Sequence, residues 1–336
     1  MQHRPDSFTR RSALRLGATA IAMGALLPAL VQAQAPAWPT RTVRLVVAAP
    51  GGASEQLARL IAPALSEIWR QPVIIEQKPG GGGTVGTEYM MNSTDGHTIL
   101  VGTQSSLLPK FTRKDLKWDP LVDLVPIYKM VNVQVVIVTN AATAAKYKTL
   151  AGVIAHSKST DKGLFYAGNS PTAVYNLSMS LLNQSFGAKY TSVNYNNIGA
   201  MAMALLRDDA QLIAITPSPI QGHIDNGALV PLAAVSRERY ANLPNVPTVY
   251  EAVNYNGYLP QLWSALFGPK STPPAVAEKI AKDVFTVLHD PVIRKQVEST
   301  VSGAVVDSSP GKFNTEFRTE ADVWKNLFQT LNIQPE

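Results

Sequence analysis

The segment "TVRLVVAAPGGASEQLARLIAPALSEI", residues 42–68, changes its periodicity halfway along. Its first eight residues are almost continuously apolar and β-branched, as in a strand buried on both faces. Pro50-Gly51-Gly52 breaks the run. Beyond it Leu57, Leu60, Ile61, Ala64, Leu65 and Ile68 recur at helical spacing and form one apolar stripe. Pro63 falls inside that pattern, so it must kink the helix or sit on its exposed side. A buried strand followed by a small-residue turn and a helix is the unit of an α/β fold.

The same alternation continues. Strands are predicted at 73–76, 97–103 and 133–139, then in "LFYAG", "TSVNY", "QLIAIT", "LVPLAAVS" and "LWSALFGP". Helices are predicted at 150–158, 172–186, 200–207 and 219–226. The C-terminal part is helical: Val276, Ile280, Val284 and Leu288 form one stripe, and Phe313, Phe317, Ala321, Trp324, Phe328 and Leu331 form another.

The N-terminus addresses the chain. "SFTRRSALRLGATAIAMGALLPALVQAQA" places Arg10, Arg11 and Arg15 before an uncharged run and ends in small residues. That is the layout of a cleavable export signal over 1–33, and Arg10-Arg11 with Leu14 fits the twin-arginine type, with Sec export as the other route. Removing it leaves about 300 residues, more than one core usually handles, so two lobes are expected. The signal holds four Arg and one Asp, so the net charge falls from +6 to +3, and no basic stripe points to nucleic acid. With no cysteine, the chain has no disulfides, thiol nucleophiles or thiolate metal ligands.

"QKPGGGGTVG" contains Gly81-x-Gly83-x-x-Gly86, which formally matches a dinucleotide-binding turn. Three residues separate it from the strand, however, and no acidic residue lies near position 103 to hold a ribose. Exported proteins also rarely meet NAD. The glycines read as a turn where backbones pack closely. Histidines are not at metal-ligand spacing, and no Gly-x-Ser-x-Gly elbow occurs. Ser309-Pro-Gly-Lys312 reads as a helix cap rather than a Ser-x-x-Lys nucleophile. No catalytic residue, metal ligand or cofactor is assigned.

What recurs is a strand, a small polar turn and a helix start: at Pro50-Gly51-Gly52-Ala53-Ser54, at Gly168-Asn169-Ser170-Pro171-Thr172, and at Asn196-Asn197-Ile198-Gly199. Each leaves backbone N–H groups and the positive end of a helix dipole facing the strand ends. A hydrogen bond to a charged group contributes roughly 1.5–3 kcal/mol, and micromolar binding needs about 8 kcal/mol. Four to six such bonds, an order-of-magnitude count from those figures, could hold a carboxylate without an arginine.

Taken in order, "WPTRTVRLVVAAPGGASEQLARLIA", "QPVIIEQKPGGGGTVGTEYM", "DGHTILVGT", "LKWDPLVDLVPI", "SVNYNNIGAMAMALL", "LPNVPTVYEA" and "GYLPQLWSALFGPKSTPPAVAEKI" resemble the solute-binding receptors of tripartite tricarboxylate transporters, the Bug family. The resemblance implies a two-lobed periplasmic binding protein of flytrap type, each lobe a mainly parallel sheet flanked by helices. Lobe 1 would comprise 38–137 and 262–336, and lobe 2 138–261. It implies a periplasmic monomer without turnover that captures an organic carboxylate for the permease subunits of a secondary transporter. A periplasmic sensor of a two-component system shares the fold, and a periplasmic hydrolase or oxidoreductase is the competing class. Carried over, the ligand-binding positions are Gly52, Ala53, Ser54, Thr103, Gln104, Ser105, Asn169, Ser170, Thr172, Tyr195, Asn196 and Asn197. Tyr175, Tyr195 and Trp263 are candidate stacking partners. Against the family pattern Ala48 replaces an aromatic, Glu55 an Asp, Asn176 a His and Gln211 an Asp. Those exchanges suggest a roomier, more neutral cleft and an aromatic mono- or dicarboxylate such as terephthalate.

Overall fold

The computed structural model describes residues 38–48, 52–168, 174–195 and 198–335. The strands are β1 (Val43–Val47), β2 (Val73–Gln77), β3 (Thr98–Gly102), β4 (Leu124–Val133), β5 (Val136–Asn140), β6 (Leu164–Gly168), β7 (Tyr190–Asn194), β8 (Leu212–Ile215), β9 (Leu229–Ala234), β10 (Leu262–Pro269) and β11 (Gly303–Val305). They form two sheets. The first has the order β11-β4-β10-β3-β1-β2 and the second β7-β6-β8-β5-β9. The export signal expected at 1–33 lies outside the described residues.

The opening segment folds as its pattern requires. Val43, Leu45, Val46 and Val47 are fully buried in β1, and the helix Ala53–Trp69 lays Leu57, Ala58, Ile61 and Leu65 against it. Pro63 lies on the exposed face and the helix runs through it. Ile68 departs from the stripe and is 42% exposed. The neighbouring Trp69 takes the inward position, with its indole N–H donating to Asp283 at 2.7 Å. Ser309 caps the last helix, Pro310–Thr330, by accepting from the Lys312 N–H.

Both sheets are flanked by helices, as expected, but both are mixed rather than mainly parallel. Pairs joined by a helical crossover are parallel: β1 with β2 and β3, and β6 with β7 and β8. Strands that arrive from the other sheet enter in the opposite direction. β10, returning from the second sheet, is antiparallel to β3 and β4, and β5, leaving the first, is antiparallel to β8 and β9.

The single strand expected at 133–139 is two. β4 ends in the first sheet at Val133 and β5 begins in the second at Val136. Only Gln134, itself buried, interrupts the apolar run at the crossing, and one polar residue does not divide two strands in a hydropathy pattern. Most of β4 was not anticipated, since Pro126 and Lys129 interrupt its apolar pattern.

Backbone and side-chain bonds tie the crossings together. Gln134 N donates to Ser302 O at 2.7 Å, Val235 N to Val135 O at 2.8 Å, and Val135 N to the Tyr240 hydroxyl at 3.0 Å. Gln261 Nε2 donates to Val235 O at 2.9 Å. Two crossing segments held side by side are what a hinge between lobes requires. Among the described residues no helix is long and apolar enough to cross a membrane.

Candidate ligand cleft

A cavity of about 550 Å³ opens between the two sheets. Its floor on the first-sheet side is the start of the helix Ala53–Trp69. Gly52 is extended there (φ −94°, ψ −179°), and Ala53 and Ser54 are the first two helical residues, whose amides have no acceptor within the helix. Beside them Thr103, Gln104 and Ser105 form a turn after β3, with Thr103 Oγ1 accepting from Ser105 N at 3.2 Å. Gly81 and Gly82 add a bare stretch of backbone.

The glycine run owes its composition to geometry. Gly80, Gly81, Gly82 and Gly83 all have positive φ, between 57° and 132°, which side-chain-bearing residues rarely adopt. Gly86 sits in the helix Thr84–Met91 so close to β1 that an added Cβ would lie 2.8 Å from the Ala48 Cβ. The run is a close-packing turn whose first half borders the cleft.

From the second-sheet side come Val174, Tyr175, Ile198, Thr216, Ser218 and Pro219. Burial pushes the Tyr175 hydroxyl up to about 12, a hydrogen bond with Thr216 partly offsetting it, so the ring enters the cleft uncharged. Trp263 on β10 forms part of the wall. Its indole N–H donates to Glu320 Oε2 at 2.7 Å, while the Trp324 indole donates to Oε1 at 2.9 Å. Burial raises the Glu320 carboxyl above the ordinary carboxylate range, against those two hydrogen bonds. Phe313 and Phe317 pack edge-on against Trp263. The rim carries Arg113, whose Nε and Nη2 hold Asp115 at 2.8 and 2.6 Å.

Of the sequence-predicted residues, the structure brings together Gly52, Ala53, Ser54, Thr103, Gln104 and Ser105 around this cavity, together with Tyr175 and Trp263. Gln104 also reaches across to the Gln261 carbonyl, linking the β3 turn to the returning crossing. Tyr195 is not on the wall: its ring packs against the core of the second sheet. Asn169, Ser170, Thr172, Asn196 and Asn197 lie outside the described residues.

The four departures from the family pattern do not line the cavity. Ala48 faces the glycine turn, and Glu55 is buried with Arg59 and Gln77 on its Oε1. Asn176 lies under Gly168, and Gln211, just before β8, accepts from Phe165 N and donates to the Asp208 carbonyl. Their suggested enlargement of the cleft therefore has no direct expression among the described wall residues.

Sequence reasoning missed Thr216, Ser218, Ser264 and Arg113. "IAITPSP" is itself a strand followed by a small polar turn, so the pattern that found the other turns contains a fourth instance. Arg113 follows a four-residue helix, Pro109–Thr112, too short for periodicity to place it.

A larger cavity, about 840 Å³, lies at the hinge and shares Val133 and Ser218 with the first. Its rim alternates Arg237, Glu238, Arg239, Lys295 and Glu298, and it includes neither the exposed helix start nor the β3 turn. Among the described residues no acidic or histidine cluster is arranged for a metal ion.

Two sheets joined by paired crossings, with a polar-floored cavity between them, define a two-lobed solute-binding protein. Residues 57–333 match the tripartite tricarboxylate transporter family receptor, and the chain belongs to that family, one of receptors rather than enzymes. It is 28% identical over 265 residues to protein BugT of Bordetella pertussis, covering 76% of this chain and 79% of that one. It is 29% identical over 285 residues to the UPF0065 protein in the gbd 5′ region of Cupriavidus necator, covering 84% of each. Among solved structures, R. palustris Rpa4515 with adipate superposes with a TM-score of 0.77 at 24% identity, covering 89% of this chain and all of that one. The periplasmic binding protein BugD gives 0.74 at 23% identity, with 89% and 100% covered.

Proposed function

We propose that the mature chain is a periplasmic receptor, exported by the twin-arginine-like segment 1–33, that captures an organic carboxylate between its lobes and presents it to a membrane permease. The carrying observation is the cavity itself. Its floor sets the free amides of Ala53 and Ser54 beside the Thr103–Ser105 turn, and its remaining walls are largely apolar. A carboxylate accepts those hydrogen bonds at the positive end of the helix dipole, while an apolar body is desolvated against Leu108, Val133, Tyr175, Ile198, Leu262 and Trp263. Asn169, Ser170, Thr172, Asn196 and Asn197 are proposed to complete the grip from lobe 2. The hinge at 134–135 and at Gln261 lets lobe 2 close over the acid.

Tyr175 is the one partly exposed aromatic among the described lining residues, since Trp263 is 1% exposed, and we propose that its ring favours an aromatic acid of the terephthalate kind. The fold relative Rpa4515 of R. palustris was solved with adipate, and an organic acid as ligand is in keeping with the reading. Calorimetric titration with benzoate, terephthalate, citrate and succinate tests this. Preference for succinate refutes the aromatic assignment, and turnover of any acid by the purified protein refutes a receptor without chemistry.

A further inference from the structure

The helix Pro291–Thr300 is capped by Val301 (φ −96°, ψ 2°), whose amide donates to Val297 O at 3.0 Å. The next residue, Ser302, turns left-handed with φ 46°. Glycine is the usual residue at this point of a helix end, because a Cβ is strained there. Of the six described non-glycine residues with positive φ, Ser302 alone is buried, at 5% exposure. Arg70, Lys148, Asp208, Asn254 and Asn332 are exposed. A strained residue persists where its surroundings over-determine it.

The partners of Ser302 come from both sides of the crossing. Its carbonyl accepts from Gln134 N at 2.7 Å, in the segment that follows β4. Its hydroxyl oxygen accepts from the Ser218 amide at 2.9 Å. Ser218 opens the short turn Ser218–Ile220 after β8 of the second sheet, whereas Ser302 precedes β11 of the first. Ser218 Oγ also approaches the Thr300 carbonyl at 3.5 Å, the long limit of a hydrogen bond. The two segments joined in this way are walls of the ligand cleft, Thr216, Ser218 and Pro219 on one and Thr300 and Val301 on the other. Ser302 stands behind that wall and faces the hinge cavity. A glycine would serve the backbone turn and the Gln134 bond. What the serine adds is the bond to the other sheet.

Resting on the receptor reading above, we infer that Ser302 is a positioning residue for ligand capture. Its hydroxyl fastens the Ser218–Ile220 turn of the second sheet to the end of the helix Pro291–Thr300 beside the first, and holds the two cleft walls in the register that grips the acid. Ser302 does not touch the acid. It biases the equilibrium between a gripping and a looser arrangement of the sheets, and the loss of one neutral hydrogen bond shifts such an equilibrium about fivefold.

Ser302→Gly keeps the left-handed turn and removes the hydroxyl, so it separates positioning from folding. In the ligand-free mature protein, amide hydrogen exchange at Ser218 should rise several-fold over wild type. Calorimetric titration with benzoate, terephthalate, citrate and succinate should show each acid that the wild type binds weakened about fivefold. The urea midpoint should not fall, because glycine relieves the turn as the bond is lost. Ser302→Ala lacks the hydroxyl and keeps the strain, and should lose affinity equally. Wild-type affinity in Ser302→Gly, or unchanged exchange at Ser218, overturns the inference and leaves the receptor reading standing. An affinity loss matched by a lowered urea midpoint in Ser302→Gly makes the residue structural only and overturns it as well. If none of the four acids binds the wild-type chain, the receptor reading falls and takes the inference with it.

Discussion

Gly86→Ala tests whether the glycine run is a packing device. The new Cβ would lie 2.8 Å from the Ala48 Cβ, 3.0 Å from the Lys78 carbonyl oxygen and 3.1 Å from the Ala48 Cα. Carbon atoms pack best about 3.5–4.0 Å apart, so the overlap with Ala48 is roughly 0.7 Å or more. None of these atoms ends a flexible side chain, and the helix Thr84–Met91 must slide. Overpacking of this kind costs about 1–3 kcal/mol, and contact with backbone on two sides puts this site at the upper end. The helix propensity of Ala over Gly returns about 1 kcal/mol. The expected loss is therefore about 2 kcal/mol, read as a lowered urea midpoint at unchanged slope. Ala48→Gly removes only the shortest contact, so in the double variant it should recover about 1 kcal/mol relative to the sum of the single changes. A Gly86→Ala protein as stable as wild type, or a coupling of zero, refutes the close-packing account.

Ala53→Pro removes one amide from the cleft floor at the first helical position, where proline is tolerated, and Gly52 before it is already extended. Calorimetry should show affinity for the bound acid reduced about tenfold with stability nearly unchanged, the loss of one hydrogen bond to a charge. Phe267→Ala empties the centre of an aromatic cluster whose ring centroids lie 5.2 Å from both Phe313 and Phe317, and urea unfolding should show a loss of about 3–5 kcal/mol. Glu320 gives a pH dependence. Its folded pKa is raised by burial above the unfolded value, so the stability it contributes is full below about pH 4 and is lost as pH rises through the folded pKa. Glu320→Gln should gain on wild type in urea midpoint as pH rises from 5 to 8, and parallel profiles refute the assignment.

The parts of the fold legible in the sequence were those where one periodicity persists. Buried β1 and the helix after it could be read because every inward position repeats the same chemistry. The hinge could not. Val133 and Val136 belong to different sheets, yet both are buried, and hydropathy cannot distinguish burial in one layer from burial in another. Strand direction was lost for the same reason: an antiparallel strand crossing from the other lobe has the same apolar composition as a parallel neighbour. The cavity wall was legible where a strand meets a helix start, at Gly52–Ser54, which line it. It was illegible at Tyr195, where an aromatic beside a polar turn serves the core.

The residues expected to depart from the family pattern lie off the cavity wall, and Glu55 is placed to support the floor rather than to line it. It is buried one turn into the cleft-floor helix, with Arg59 at 2.5 Å and Gln77 Nε2 at 2.8 Å on the same oxygen, so it ties the helix start to β2. A carboxylate in the first turn also stabilises that end of the helix by about 0.3–1 kcal/mol. The same negative charge would oppose the proposed anion on Ala53 and Ser54, and Arg59 and Gln77 both stand on its Oε1 to offset it. The side chain of Arg59 is 62% exposed, so added salt screens that ion pair.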